Sequence, residues 1–539
     1  MFDPILVHDY LRQSASMYPD KEALICEDER WTYQELDQRS DNVAYSLAEM
    51  DLKRNDRVVI FLDNSAEIVA SMYGTLKAEG TFVIINGTVK PKKLSYILRD
   101  SGAVVLITHS DKAPVVEESL NYAAGKLQII WVGNHAAVPQ SFAPLSCLWN
   151  EVALSRNALS RGLQKRSSQL NGGDFSDLDL ATLIYTSGST GEPKGVMTSH
   201  HNMLFVARSI IQYLGNTPDD IIINVLPLSF DYGLYQIIMA IMFGGTVVME
   251  RSFAYPFNVL ERMVRERITG FPIVPTIAAH LLNMKNIHQF DLSCMRYMTN
   301  TAAALPIEHI RRLRSFFPQV AFYSMYGLTE CKRVSYLPPE ELDRRPSSVG
   351  KAIPNTEAYI VDDAGRAVAA GEIGELVVRG AHVMQGYWNA PELSERTFRQ
   401  GRHPGERVLY SGDLFKQDEE GFLYFIGRKD DLIKSKGEGV SPREVENVLC
   451  EMDGIAESAV IGIPDEISGQ AIMAFVVCRA GARLTERDVL KYCTHNLELF
   501  MVPKHIVFLE YLPKSSNGKI DSKRLKSDYD VSVRSPLIL

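Results

Sequence analysis

One stretch constrains this chain more than any other: Leu183-Ile-Tyr-Thr-Ser-Gly-Ser-Thr-Gly-Glu-Pro-Lys-Gly195. It opens on the apolar run Ala181 to Tyr185, which reads as a buried strand. It then gathers Thr186, Ser187, Ser189 and Thr190 around Gly188 and Gly191 and finishes on Pro193-Lys194-Gly195. Glycines free backbone N–H groups to converge on one anion, hydroxyls add donors, and a lysine adds a point charge. A polyphosphate needs that set. The spacing is not the Walker form, in which Lys directly precedes Ser or Thr. A flexible surface loop between a strand and a helix is the plain reading of a lone glycine-rich segment. The full run, in register with a strand, favours the phosphate loop.

At 539 residues the chain exceeds one core, so two or more domains are expected. A hydrophobic fraction of 46% and a charged fraction of 23% are those of an ordinary globular protein. A formal charge of −9 leaves no basic footprint for nucleic acid or an anionic membrane, so any phosphate site must be local. Seven cysteines lack a C-x-x-C pair, which argues against a disulfide framework. No apolar run reaches membrane-spanning length. Acidic residues stand near the N-terminus where a signal peptide would carry Lys or Arg, and a cytoplasmic location is expected.

Residues 1 to about 110 alternate helical and strand patterns. Thr32-Tyr-Gln-Glu35 is a capping box, followed by Leu36, Val43, Ala44 and Leu47 at helical spacing. Arg57–Leu62, Thr81–Ile85 and Ala103–Thr108 are short, β-branched and apolar, as strands buried on both faces should be. The class is therefore α/β, with a mostly parallel sheet. Asn150 to Asp179 reads as a polar surface connection. After the loop come a helix bearing Leu204, Ala207, Ile211 and Leu214, a strand from Asp220 to Leu226, and the segment Pro227-Leu-Ser-Phe-Asp-Tyr-Gly233. Short strands with glycine turns follow at Gly371–Gly380 and Gly421–Gly427. The character changes at the charge run Arg428-Lys-Asp-Asp431. Ser441-Pro-Arg-Glu444 reads as a second capping box, and strands and a helix then complete a small α/β unit. The expected division is a large domain over 1–427, a junction at 428–430, a small domain over 431–525 and a polar tail over 526–539.

Several motifs, in order, resemble those of the AMP-forming adenylating superfamily of acyl-CoA synthetases, luciferases and peptide-synthetase adenylation domains. They are Gly188-x-x-Gly-x-Pro-Lys-Gly195, Ser324-Met-Tyr-Gly-Leu-Thr-Glu330, Tyr410-Ser-Gly-Asp413, Gly427-Arg-Lys-Asp430 and Leu512-Pro-Lys-Ser-Ser-Asn-Gly-Lys519. The resemblance implies a large domain with mostly parallel sheets and a small mobile α/β domain. It implies ATP and Mg²⁺ as cofactors, with Thr186 to Gly191 and Lys194 on the phosphates. Tyr326 would stack on adenine, Thr329 would reach the α-phosphate, Glu330 would hold Mg²⁺, and Asp413 and Arg428 would meet the ribose. Lys519, Lys194 and Glu330 are the implied catalytic groups, and Asp430 is the implied hinge. Taken alone, Gly412-Asp413 is a plain turn and Arg428 to Asp431 a solvated charge run.

The implied reaction converts a carboxylic acid to an acyl-adenylate with release of pyrophosphate. Transfer to a phosphopantetheine thiol, of CoA or of a separate carrier protein, then follows. Asp231 matches the aspartate that pairs with the substrate's amino group in peptide-synthetase domains, which inclines the reading toward an amino acid. The other reading of Asp231 is a cap for the next helix. Tyr235, Met298, Asn300, Met325, Arg333 and Val334 are further pocket positions by resemblance. Arg333 would meet a distal substrate carboxylate, or neutralise Asp231 and leave a site for an uncharged fatty or aryl acid. Two other functions stay open: an enzyme that delivers acyl-AMP elsewhere, and a silent nucleotide-binding protein, against which Lys194 and Lys519 argue.

Overall fold

The computed structural model describes residues 4–120, 127–134, 146–153, 176–186, 192–301, 303, 305–435, 438–465, 469–514 and 519–534. Ser187, Gly188, Ser189, Thr190 and Gly191 lie outside the described residues. So do Asn517-Gly518 and most of the polar connection after Asn150. The chain divides into two compact units. The first is Met1–Phe271 with Leu328–Arg333 and Arg379–Leu409, and the second is Pro272–Gly327 with Val334–Val378 and Tyr410–Leu539.

The first unit is built on an eight-stranded sheet. Its spatial order is Gly386–Tyr387, Lys194–Ser199, Leu180–Thr186, Thr81–Ile84, Arg57–Phe61, Ala103–His109, Gln128–Val132 and Ser146–Leu148. The strands from Thr81–Ile84 through Gln128–Val132 run parallel, as their apolar, β-branched runs predict. Val59, Phe61, Val83, Leu106, Ile129, Trp131 and Leu183 form one buried cluster on this sheet. A second parallel set joins Glu22–Cys26, Thr246–Met249 and Ile221–Asn224. The capping box at Thr32 is present: Glu35 N–H donates to the Thr32 hydroxyl at 3.2 Å, and Thr32 N–H donates to the Glu35 carboxylate at 2.9 Å.

In the second unit, Tyr297–Asn300 and Ala321–Tyr326 pair in parallel and Ser335–Leu337 joins antiparallel. Residues 413–417 pair antiparallel with 423–428. The expected boundary at 427 and 428 falls inside this unit, and the residues from Ile433 onward carry a core of their own. Ile433, Val440, Val445, Leu449, Ile472, Val476, Val489 and Cys493 pack on one face of the last sheet. Ala459, Ile461, Met473, Phe475, Leu512 and Leu525 pack together in a further cluster. The stretch expected as a polar tail from 526 continues a helix, Ser522–Arg534.

Two local readings are corrected. Ser441 stands at the N-cap and Pro442 at the first helical position, but no side-chain cap forms. The Ser441 hydroxyl donates to the Ile426 carbonyl, a tertiary contact, and its oxygen accepts no N–H of the first helical turn. The glycine-rich loop joins two antiparallel strands, Leu180–Thr186 and Lys194–Ser199, rather than a strand and a helix. The helix begins only at His200.

Among the described residues, four histidines are buried as neutral rings. Burial holds the His200, His309 and His382 imidazoles down at about 4 and His8 well below its ordinary value. Val7 N–H donates to His200 Nδ1 at 3.1 Å, so protonation there would break a backbone hydrogen bond. The unfolded chain takes up these protons near about 6.5 and the folded chain does not. Their stabilisation is therefore complete above that pH and is lost as pH falls toward 4. The melting temperature should be level above pH 7 and fall progressively between about 6.5 and 5, before most carboxylates titrate. A melting temperature unchanged down to pH 5 would contradict this.

Candidate active site

In the first unit, strand register fixes the neck of the glycine-rich loop. Thr186 pairs with Lys194, so both stand at the base of the turn, partly buried. The Tyr185 hydroxyl donates to Asp100 at 2.6 Å and anchors the first strand. Gly195 allows close packing on the second, because a Cβ there would lie 3.2 Å from the Tyr185 ring and 3.4 Å from Trp388 Cβ.

The same strand reaches Glu330 through its other neighbour. Gly386 and Tyr387 pair antiparallel with Met197 and Val196. The Tyr387 hydroxyl then donates to Glu330 Oε1 at 2.7 Å, and Met384 N–H donates to the Glu330 carbonyl at 2.9 Å. Asn202, in the first turn of the following helix, holds that segment by donating to the Ala381 and Val383 carbonyls at 2.8 and 3.1 Å. Lys194 and Glu330 are thus carried by one hydrogen-bonded frame. Sequence reading missed Tyr387, whose 57-residue separation from Glu330 leaves no local pattern.

The second group in this unit surrounds the start of the Asp231–Phe243 helix. A turn closed by Phe230 N–H on the Pro227 carbonyl leads into it. Gly233 lets the helix sit on that turn, since a Cβ would lie 2.6 Å from the Pro227 carbonyl oxygen. Phe230 is the N-cap and Asp231 the first helical residue, so the capping role does not fall to Asp231. Its carboxylate is buried and faces Lys332, with Nζ 3.7 Å from Oδ2. That ammonium lies 4.7 Å from the Tyr235 ring centroid and 5.4 Å from that of Tyr232. Burial pushes Lys332 down to about 7 against the opposing pull of Asp231. Sequence reading offered Arg333 as a partner for a distal substrate carboxylate or for Asp231, and did not name Lys332, which forms an ion pair with Asp231. Arg333 is buried with its guanidinium 5.7 Å from the Tyr232 ring. The signal available was a second cation directly before Arg333.

In the second unit, Tyr326, Asp413 and Arg428 come together. The Tyr326 hydroxyl donates to Asp413 Oδ2 at 2.6 Å, and Arg428 Nε lies 3.2 Å from Oδ1. Asp413 and Arg428 are register partners across two antiparallel strands, which accounts for their meeting. Phe415 packs edge-on against Tyr326 at 4.8 Å, and Phe425 stacks at 6.1 Å. Met298, Asn300 and Met325 are buried on the paired strands Tyr297–Asn300 and Ala321–Tyr326. Thr329, back in the first unit, is partly buried. Asp430 and Lys519 are exposed, and Lys514 and Ile520 form an antiparallel bridge beside Lys519.

The profile of the AMP-binding enzyme family matches residues 11–388, and that of the AMP-binding enzyme C-terminal domain matches 444–519. The chain belongs to the AMP-binding enzyme family. It is 30% identical to a long-chain-fatty-acid–CoA ligase of Escherichia coli O157:H7 over 536 residues, covering 96% of this chain and 94% of that one. Its fold matches the anthranilate CoA ligase AuaEII in complex with anthranoyl-AMP, with a TM-score of 0.87, 28% identity and 99% coverage of both chains. It also matches the o-succinylbenzoate CoA synthetase MenE of Bacillus subtilis with ATP and magnesium, with a TM-score of 0.80, 28% identity, and 96% and 99% coverage. This family member is therefore an AMP-forming, acyl-CoA synthetase-like ligase with the mixed α/β fold expected from its sequence.

Tyr326→Phe removes a hydrogen bond to a buried carboxylate, a loss of about 1.5 kcal/mol when the acceptor is charged. The KM for ATP should rise roughly tenfold while the KM for the acid stays unchanged. An unchanged KM for ATP would separate this cluster from the nucleotide.

Proposed function

We propose that this enzyme activates a carboxylic acid lacking an α-amine, of the fatty or aryl class, and passes the acyl group to CoA. The observation that carries the acid class is the Asp231–Lys332 pair. An amine-bearing acid would need the Asp231 carboxylate, which Lys332 already meets. The slight inclination toward an amino acid is therefore set aside. The names of the relatives, CoA ligases for a long-chain fatty acid and for anthranilate, support the CoA acceptor over a carrier protein.

In the first step a carboxylate oxygen attacks the α-phosphorus of ATP in line, the bond to the bridging oxygen breaks, and pyrophosphate leaves. Lys194 and Thr186 stand at the neck of the loop that would cradle the departing phosphates. Tyr326, Asp413 and Arg428 would hold the nucleoside, and Thr329 would donate to the α-phosphate. Lys519 would neutralise charge on the attacked phosphate. Mg²⁺ commonly takes only one or two carboxylates, with substrate phosphates and water completing its shell. Glu330, fixed through one oxygen by Tyr387, fits that donor set, and the described residues hold no cluster of three or more His, Cys, Asp or Glu. Bound there, the ion would supply charge neutralisation on the phosphates. In the second step the CoA thiolate attacks the acyl carbon and AMP leaves. A turn about Asp430, at the junction 428–430 between a domain over 1–427 and one over 431–525, would withdraw Lys519 between steps.

Acid-dependent pyrophosphate exchange over fatty, aryl and amino acids, followed by CoA thioester detection, tests this reading. Fatty or aryl acids should give both signals. Best activity with an α-amino acid, or no CoA thioester from any active acid, would overturn it.

Lys519→Ala separates the steps. Adenylation should slow by roughly two to four orders of magnitude, because one preorganised charge is lost from the transition state. Thioester formation from supplied acyl-AMP should be nearly unaffected. Equal loss in both steps would make Lys519 a structural residue.

A further inference from the structure

The start of the Asp231–Phe243 helix carries the components of an ammonium-binding box. Asp231 supplies a carboxylate that is 7% exposed. Tyr232 and Tyr235, 1% and 0% exposed, supply two aromatic faces. Such faces attract a cation within about 6 Å of the ring centroid. The ammonium in the box belongs to the protein. Lys332 Nζ lies 3.7 Å from Asp231, 4.7 Å from the Tyr235 centroid and 5.4 Å from the Tyr232 centroid.

The backbone at Lys332 is unusual. Its φ is +63°, the left-handed region that costs a side-chain-bearing residue about 1 kcal/mol or more. The turn is held there by Lys332 N–H on the Leu328 carbonyl and Arg333 N–H on the Cys331 carbonyl, each at 2.7 Å. A lysine is thus kept in a strained turn with its stem buried and its head against Asp231. Burying such a pair brings little net stability, since desolvation offsets the attraction. Stability alone is a poor reason for the arrangement.

We infer that Lys332 is a specificity-determining residue, a tethered ammonium filling a carboxylate and aromatic box that would otherwise accept the amine of an amine-bearing acid. The inference rests on the proposed reading of the enzyme as a ligase for acids lacking an α-amine, and names the residue that enforces it. An incoming ammonium would have to displace one that is covalently attached and so present at high effective concentration. Without the tether, the buried Asp231 carboxylate loses the ammonium that now lies against it and the two rings, and the space of the deleted stem is open to an alkylammonium head.

The test compares hexanoate with 2-aminohexanoate and 6-aminohexanoate in pyrophosphate exchange, using the full chain and its Lys332→Ala and Lys332→Met variants. In Lys332→Ala the ratio of kcat/KM for at least one amine-bearing acid to that for hexanoate should rise by about 10- to 100-fold. Lys332→Met, which refills the space with an apolar stem, should show a smaller rise. Adding Asp231→Asn to Lys332→Ala should abolish the gain. If Lys332→Ala is too unstable to assay, n-butylammonium chloride should raise its melting temperature more than potassium chloride does, with no such difference in the unsubstituted chain. A ratio unchanged in both variants, or in the unstable case no butylammonium effect, would make the pair merely structural and overturn the inference. Failure of the underlying reading looks different, because the unsubstituted chain would then prefer an amine-bearing acid from the outset.

Discussion

Register across three neighbouring strands, Leu180–Thr186, Lys194–Ser199 and Gly386–Tyr387, is the constraint on which the chemistry of the first unit depends. A slip of one residue would turn every side chain on the slipped strand to the opposite face. Lys194 would leave the neck of the loop, and Tyr387 would no longer reach Glu330. The register is secured on both sides. Leu183 is buried in the sheet core, Tyr185 is tied to Asp100, and Gly195 permits an approach that a Cβ would crowd. Lys194 stands on this ladder, and Glu330 is tied to it through the Tyr387 hydroxyl and Met384 N–H.

Charge is handled differently in the two clusters. Asp413 sits between a phenol donor and a guanidinium, so its buried carboxylate is met by two groups. Its partners also define the geometry a nucleoside would meet. Asp231 instead faces one ammonium held between aromatic rings. An exposed pair such as Lys53 with Asp51 contributes little by comparison, because water screens it. A buried pair such as Asp231 with Lys332 gains little net stability, because desolvation offsets the attraction.

The legible parts of this fold were those in which local pattern and tertiary role agree. Arg57–Phe61 and its parallel neighbours read as strands because burial on both faces makes composition itself the signal. Thr32 read as a helix start because the cap and its partner lie three residues apart. The motifs around Lys194, Glu330, Asp413 and Lys519 were legible for a similar reason, each being a short run. What escaped is non-local. Lys332 meets Asp231 from 101 positions away, and Tyr387 meets Glu330 from 57. No periodicity encodes either. At Ser441 the local motif was complete and still misread, because the side chain is engaged by the Ile426 carbonyl, a tertiary partner with no local signal. The strand Lys194–Ser199 was passed over because its six residues lead directly into a helix.

The central claim is chemical: an oxygen of the acid attacks the α-phosphorus and stays on AMP when the thiol takes the acyl group. Carrying out the full reaction with hexanoate labelled in both carboxylate oxygens with ¹⁸O, and weighing the products by mass spectrometry, tests it most directly. One labelled oxygen should appear in each AMP, the other should remain in the thioester, and pyrophosphate should carry none. Unlabelled AMP, or label in phosphate alongside ADP, would contradict the account.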